Sequence, residues 1–255
     1  YALFAETILQ IHSDSGRAGF IVPTGIATDD STKAYFGHIT QNQRLLSLFD
    51  LENRERDKLF RDVDSRMKFS LLTLGAAERA EFVYFATQVS QLADPRRRFT
   101  LTPDEFRLIN PNTLTCPVFR SERDAELTKR LYRTAPVLID ENRPDGNPWG
   151  IRFLQGTHNM SSDSHLFVDT PAAGFLPLYE AKMINFYDHR AGTYESRGEE
   201  RGYRILPSPS LSEYQNPNYT SIPFYWISAQ FVEERLSSWG HDWLLVFKDV
   251  TSATN

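Results

Sequence analysis

Phe60 is an aromatic residue in a long polar segment, 52–66, that separates the apolar runs 45–51 and 68–74. Loops of this length in compact domains usually carry function. An enzyme that modifies a base in duplex DNA must rotate it out of the stack and hold it between aromatic or apolar side chains. Phe60 is therefore a candidate for stacking on an extruded base. The alternative is that its ring anchors the loop to the core, as aromatic side chains often do.

Basic residues are concentrated between 94 and 133, where nine Lys and Arg against six acids give a net charge of +3, although the whole chain carries −5. Cations on one face gain affinity for DNA by releasing counterions. Arg190, Arg197 and Arg204 are candidates for reading base edges from loops. A solvated surface with scattered arginines is the alternative. The candidate DNA contacts are Lys68, Arg96, Arg97, Arg98, Arg120, Arg123, Lys129, Arg130, Lys182 and Arg190.

A third pattern suggests metal chemistry. Pro144-Asp145 followed by Glu180-Ala181-Lys182 imitates the Pro-Asp…Glu-x-Lys arrangement in which two carboxylates hold Mg²⁺ and a lysine orients water. Such short patterns occur often by chance, and Asp145 lies in turn-forming sequence. His158 and His165 have no acidic partner at helical spacing, so no metal site is predicted.

Composition limits the class of protein. The chain has 255 residues, of which 40% are hydrophobic and 24% charged, as in an ordinary globular protein. No apolar run approaches the roughly 20 residues that cross a bilayer, so no membrane association is predicted. Cys116 is the single cysteine, which excludes an internal disulfide and favours a reducing compartment, so a cytoplasmic location is expected.

The first 75 residues alternate helix and strand, as in an α/β sheet. Apolar periodicity predicts a helix over 1–13 and another over 32–41. Short apolar runs predict buried strands at 18–22, 45–51 and 68–74. Further along the chain, the patterns predict helices beginning at Thr102 and spanning 121–133 and 231–239, and β segments at 137–139, 151–154 and 243–247.

The motifs of the first 75 residues resemble a known family. Gly19-Phe20-Ile21-Val22-Pro23, Phe49-Asp50, Leu59-Phe60-Arg61-Asp62 and Lys68–Leu74 occur in the order found in the adenine-specific DNA methyltransferases of type IIG restriction-modification systems. In that family a strand ending in Ile-Val-Pro follows the catalytic loop. A late strand pair then holds an aromatic-containing loop over the flipped base, which is the position of Phe60.

The resemblance implies an α/β fold, the distal portion of a Rossmann-like methyltransferase sheet followed by a mixed α+β target-recognition region. Residues 1–95 would form the C-terminal part of the catalytic domain, and 96–255 an incomplete recognition region, with the boundary at Asp94-Pro95. The phrases Asn110–Thr113, Asp124–Leu127, Asn147–Gly150 and Pro177–Lys182 suggest the second part. The implied partners are double-stranded DNA and other restriction or defence-system subunits.

The resemblance also implies what this sequence lacks. The family binds S-adenosylmethionine on a Gly-rich turn and transfers the methyl group at an Asn/Asp-Pro-Pro-aromatic loop. The sequence contains neither Gly-x-Gly nor Pro-Pro, and it opens on Tyr1 within an apolar pattern. We therefore expect a fragment that holds no catalytic residue and binds no cofactor by itself. S-adenosylmethionine would bind elsewhere in the full-length enzyme.

Three functional hypotheses follow. The first is a fragment of a DNA adenine-N6 methyltransferase of a restriction-modification or related phage-defence system, in which Phe60 binds the target base. The second is a non-catalytic DNA-binding specificity module, which would bind specific DNA by itself. The third is a Mg²⁺-dependent nuclease domain.

Overall fold

The computed structural model describes residues 1–54, 59–154, 156–195, 205–241 and 243–247. The chain divides into two compact units, Tyr1–Arg152 and Phe153–Asn255. Within the described parts of the chain, no helix is long and apolar enough to span a bilayer.

The first unit is a mixed α/β structure in which helices alternate with strands and then follow them. The helices Pro103–Ile109 and Glu122–Thr134 begin at residues whose side chains cap them. One example is Thr102, whose hydroxyl accepts the Glu105 N–H while the Glu105 carboxylate accepts the Thr102 N–H. The elements are α1 (Ala2–Ile11), β1 (Ala18–Pro23), α2 (Gly25–Thr28), α3 (Lys33–Gln41), β2 (Leu45–Glu52), β3 (Lys68–Leu74), β4 (Ala80–Ala86), β5 (Phe99–Leu101), α4 (Pro103–Ile109) and α5 (Glu122–Thr134).

The five strands form one mixed sheet in the order β1-β3-β2-β4-β5. Strand β3 is antiparallel to both β1 and β2, and β4 is parallel to β2. Strands β1, β2 and β4 therefore run in the same direction, and their carboxyl ends lie at one edge of the sheet. The start of β3 lies at this edge too. In open α/β sheets, ligands bind outside the carboxyl ends of the strands.

Both faces of this sheet are covered. Alternate residues of β3 illustrate the division: Leu72 and Leu74 belong to the larger apolar cluster, and Phe69 and Leu71 pack on the smaller one. The larger cluster includes residues from α1, α2, α3, α4 and α5. Two-sided burial explains why the strands are continuous apolar runs in the sequence.

The second unit is smaller and built from short elements. It contains a three-stranded antiparallel sheet in the order β6-β8-β7, with a small buried cluster of Met183, Tyr194 and Leu206. The elements are β6 (Phe167–Val168), β7 (Phe175–Leu178), α6 (Leu211–Gln215), β8 (Tyr225–Ser228) and α7 (Ala229–Arg235).

The predicted strands of the first 75 residues are confirmed, whereas those at 137–139, 151–154 and 243–247 are wrong, because these segments pair with no strand among the described residues. The helix predicted over 231–239 begins and ends earlier, as α7. The predicted domain boundary after residue 95 falls inside the first unit. Strand β5 pairs with β4 there, and Phe106 and Ala125 from the following helices complete the larger cluster.

Candidate nucleic-acid interface

A buried polar network lies at the edge where β1, β2 and β4 end, here called the carboxyl edge (residues 23–24, 50–54, 68–70 and 84–86). The Thr24 hydroxyl donates to Asp50 Oδ1 at 2.6 Å, and the Ser70 hydroxyl lies 2.9 Å from Thr24 Oγ1. The second carboxylate oxygen of Asp50 accepts the backbone N–H of Phe85 at 3.0 Å. Burial raises the pKa of Asp50, despite the hydrogen bonds from Thr24 and Phe85 and the charge of Lys68. The network ties the ends of β1, β2, β3 and β4 together.

Next to this network, the edge carries exposed positive charge. The buried carboxylate of Glu52 pairs with Lys68 Nζ at 2.8 Å and accepts a hydrogen bond from Arg54 Nε at 2.7 Å. Lys68 and Arg54 are exposed, whereas Glu52 is 5% exposed. The ammonium and the guanidinium therefore face solvent around a carboxylate that does not.

The Phe60 loop is the segment between β2 and β3, of which residues 53–54 and 59–67 are described. The side chain of one buried residue holds the part around Phe60. Asn53 is completely buried, and its Oδ1 accepts the Phe60 N–H at 3.0 Å. Its Nδ2 donates to the carbonyl oxygens of Phe60 and Val63, at 3.0 and 2.9 Å. One amide thus satisfies both backbone groups of Phe60, as a strand partner would.

Phe60 is 41% exposed. Its ring contacts the Phe69 ring edge-to-face, with the ring centroids 4.8 Å apart. Phe60 therefore packs against β3 and is also accessible to solvent. A partly exposed aromatic side chain whose backbone is hydrogen-bonded is suited to stacking on a planar ligand.

Several of the predicted DNA contacts are engaged within the protein. Lys129 is 1% exposed, and its ammonium pairs with Glu105 at 3.0 Å and with Glu126. Arg98 pairs with Glu81 at 2.8 Å. Arg96 pairs with Asp94, and this hydrogen bond lowers the pKa of that carboxyl to about 2.

Others remain at the surface of the first unit. Arg120, Arg123 and Arg130 are exposed and form no ion pair within the described residues. Arg123 and Arg130 are seven residues apart on α5 and so lie on the same face of the helix. Arg97 is half-buried in a turn that follows Asp94.

In the second unit the predicted contacts hold the local structure. Arg190 donates to the carbonyl oxygens of Tyr214, Asn216 and Tyr219. Lys182 pairs with Glu180 at 3.0 Å. Arg197 and Arg204 lie outside the described residues.

The residues of the nuclease-like pattern lie in different units. Asp145 pairs with Arg143 in the first unit, and Glu180 accepts a hydrogen bond from Tyr194 in the second. Among the described residues, no three His, Cys, Asp or Glu side chains form a group that could hold a metal ion.

The most informative residues of the edge are polar residues inside apolar strands. Asp50 and Ser70 interrupt the runs 45–51 and 68–74, and such residues must find partners when buried. That signal is present in the sequence. The role of Asn53 depends on the path of the loop, which the sequence pattern does not contain.

The chain matches no protein-family model and no curated protein. Among solved structures it is similar to a chain from the work titled "Structural basis underlying complex assembly and conformational transition of the type I R-M system", with a TM-score of 0.35 and 13% sequence identity. The similarity covers 52% of this chain and 36% of that chain, so the chain spans about a third of the structure it matches.

Proposed function

We propose that this chain contributes target-base binding and DNA sequence recognition to a DNA adenine-N6 methyltransferase of a restriction-modification or related phage-defence system. The observation that carries the proposal is the half-exposed Phe60 ring, presented at the carboxyl edge by a loop that Asn53 fixes. The strands β2 and β3 that bound this loop are adjacent and antiparallel. In the proposed role they would serve as the late strand pair that the sequence resemblance implies.

The division of labour follows from the residues available. The polar groups buried at the edge, Thr24, Asp50 and Ser70, are hydrogen-bonded to one another, so none is assigned to a methyl donor. S-adenosylmethionine, which supplies the methyl group in such enzymes, would be held by a Gly-rich turn, and the transfer would take place at an Asn/Asp-Pro-Pro-aromatic loop; this sequence contains neither. The role proposed for Phe60 is to hold the base, and the role proposed for the exposed arginines is to contact phosphate.

Duplexes with one unpaired nucleotide test the role of Phe60 without knowledge of the recognition sequence, because extrusion costs least for an unpaired base. One duplex carries a bulged adenine, and its matched control carries a bulged abasic site. We expect the chain to prefer the adenine bulge, and Phe60→Ala to abolish this preference. Stacking of a base on an aromatic ring is worth about 1–3 kcal/mol, so the loss is expected to be about fivefold or more.

Phe4→Ala is the control variant, because Phe4 is also an exposed phenylalanine of the first unit, at 76% exposure. It is expected to keep the preference for the adenine bulge. Equal affinity of the unmodified chain for both duplexes would refute the base-binding role. Specific binding of an intact duplex, unchanged in Phe60→Ala, would favour the specificity-module hypothesis instead.

A further inference from the structure

A bulge in β4 places Phe85 in an unusual backbone conformation. The parallel pairing of β2 and β4 shifts register, from Phe49 opposite Val83 to Leu51 opposite Ala86, so two residues of β4 lie opposite Asp50 alone. Phe85 has a φ of 59°, in the left-handed region that a bulky side chain rarely adopts. Such a conformation persists only where the surroundings enforce it.

Asp50 accepts the backbone hydrogen bond of the bulged residue. A bulge leaves a backbone N–H without a strand partner, and here the Phe85 N–H donates to Asp50 Oδ2 at 3.0 Å. Asp50 is 1% exposed and is itself held by Thr24. The carboxylate therefore compensates the bulge and keeps Phe85 in place.

The bulge changes where the Phe85 ring lies. In a regular strand, successive side chains point to opposite faces. Here Tyr84 and Phe85 both pack on the larger apolar cluster, with ring centroids 6.4 Å apart. Bulges next to functional sites commonly redirect a side chain in this way.

Two cationic side chains lie over the Phe85 ring. The Arg120 guanidinium carbon lies 4.2 Å from the Phe85 ring centroid, and Lys68 Nζ lies 5.2 Å from it. Both side chains are exposed, and Arg120 forms no ion pair within the described residues. Stacking on the ring restricts the guanidinium plane, and it leaves the N–H groups at the rim of the plane available to an anion.

We propose that Arg120, stacked on Phe85, is a binding site for one backbone phosphate of DNA. The planar guanidinium fits two phosphate oxygens at once. The Lys68 ammonium lies at the same ring and is paired with Glu52, so Arg120 is the cation available to the phosphate. Asp50 and Phe85 are positioning residues, which act through Arg120. The inference rests on the proposed function, because it places the phosphate at the carboxyl edge that also carries Phe60.

The salt dependence of DNA binding tests this site. Each phosphate contact contributes roughly 0.9 to the slope of log affinity against log salt concentration on duplex DNA. We expect Arg120→Gln to reduce that slope by about 0.9 on both the adenine-bulge and the abasic-bulge duplex. Arg107→Gln is the control, since Arg107 is an exposed arginine paired with Asp104, and it is expected to leave the slope unchanged.

A double-mutant cycle tests the role of Phe85. If Phe85 acts by orienting Arg120, then Phe85→Leu weakens binding, and the double variant binds no more weakly than Arg120→Gln alone. Arg120→Lys is expected to keep the slope but to bind more weakly than the parent, because lysine lacks the planar fork. The melting temperature of each variant reports whether the fold is retained. If Phe85→Leu does not fold, weaker binding by Arg120→Lys with an unchanged slope still shows that the planar guanidinium, and not charge alone, binds the phosphate.

The outcomes separate the two proposals. An unchanged slope in Arg120→Gln refutes the phosphate site, and additive losses in the cycle refute the positioning role of Phe85. If Phe60→Ala still abolishes the preference for the adenine bulge in those cases, base binding stands without the phosphate site. If neither Phe60→Ala nor Arg120→Gln changes binding, both proposals fail.

Discussion

Asn53 shows how a single buried amide can determine what a surface loop presents. Its side chain bonds both backbone groups of Phe60 and the carbonyl of Val63, while its own N–H donates to the Met67 carbonyl at 3.1 Å. The two ends of the described part of the loop are thereby held together. The orientation of Phe60 thus depends on a residue that would not itself touch a base.

We expect Asn53→Ala to lower the free energy of unfolding by about 1–3 kcal/mol, because it leaves partly buried backbone groups of Phe60 and Val63 without partners. The variant is also expected to lose the preference for the adenine bulge, as Phe60→Ala does. Urea unfolding and binding to the two bulged duplexes measure these effects. Asn42→Ala is a suitable control, since Asn42 is exposed at the end of α3. Full retention of the preference in a folded Asn53→Ala variant would contradict the positioning role.

Sequence pattern predicts some residue roles better than others. Phe60 can be identified from its place between two apolar runs, and Asp50 from its charge within one of them. Lys129 is predicted as a DNA contact, yet its side chain is buried and pairs with Glu105. Its burial follows from its position on the face of α5 that packs against α4, which charge alone does not reveal. Phe85 follows from no pattern, since a bulge arises only when two strands pair.

The contact between α4 and α5 is the clearest example of electrostatics acting between elements. The Glu105 carboxylate caps α4 and forms ion pairs with Lys129 and Arg79. Burial raises the pKa of Glu105, but the hydrogen bonds from the Thr102 N–H and Lys129, with the positive charges, outweigh burial and lower the pKa below its usual value.

A folded-state pKa below the unfolded one stabilises the fold above the unfolded pKa, and this contribution is lost as the pH falls through the folded pKa. We therefore expect Glu105→Gln to be less stable than the parent at neutral pH. The difference should shrink as the pH falls below about 4.3, the usual pKa of glutamate. Urea unfolding at several pH values checks this, with exposed Glu78→Gln as the control. A difference that is constant with pH would contradict the proposed cause.

Helix α5 also presents Arg123 and Arg130 on one exposed face. If this face contacts DNA, neutralising both residues removes up to two phosphate contacts, and the salt slope falls by up to about 1.8. Binding of the Arg123→Gln/Arg130→Gln variant across a salt series measures it. An unchanged slope would assign these arginines to a solvated surface, which is the alternative stated from the sequence.

The elements themselves differ in how far the sequence predicts them. Strands β1, β2 and β3 are confirmed, because each is a short, mainly apolar run that is too short for a helix. Strand β4 has the same character, from Ala80 to Ala86, but no element is predicted there. The segments 137–139, 151–154 and 243–247 are apolar too, and they fail as strands because apolar character alone does not provide a pairing partner.

The whole chain combines a sheet-based unit with a second unit of short elements. The first unit carries every feature on which the proposals depend: the carboxyl edge, the Phe60 loop and the Arg120 site. Its core continues past residue 95, since β5 extends the sheet and residues of α4 and α5 belong to the larger apolar cluster. The residues proposed to hold the base and those proposed to contact phosphate thus belong to the same folded unit.

The most direct test of the central claim is photo-cross-linking of the chain to a duplex that carries 8-bromoadenine as its single bulged base. Irradiation joins the brominated base to an aromatic ring that contacts it, and mass spectrometry of the digested complex locates the bond. We predict a cross-link at Phe60 that disappears in Phe60→Ala and persists in Phe4→Ala. A bound complex whose cross-link maps to another residue, with none at Phe60, would contradict the account.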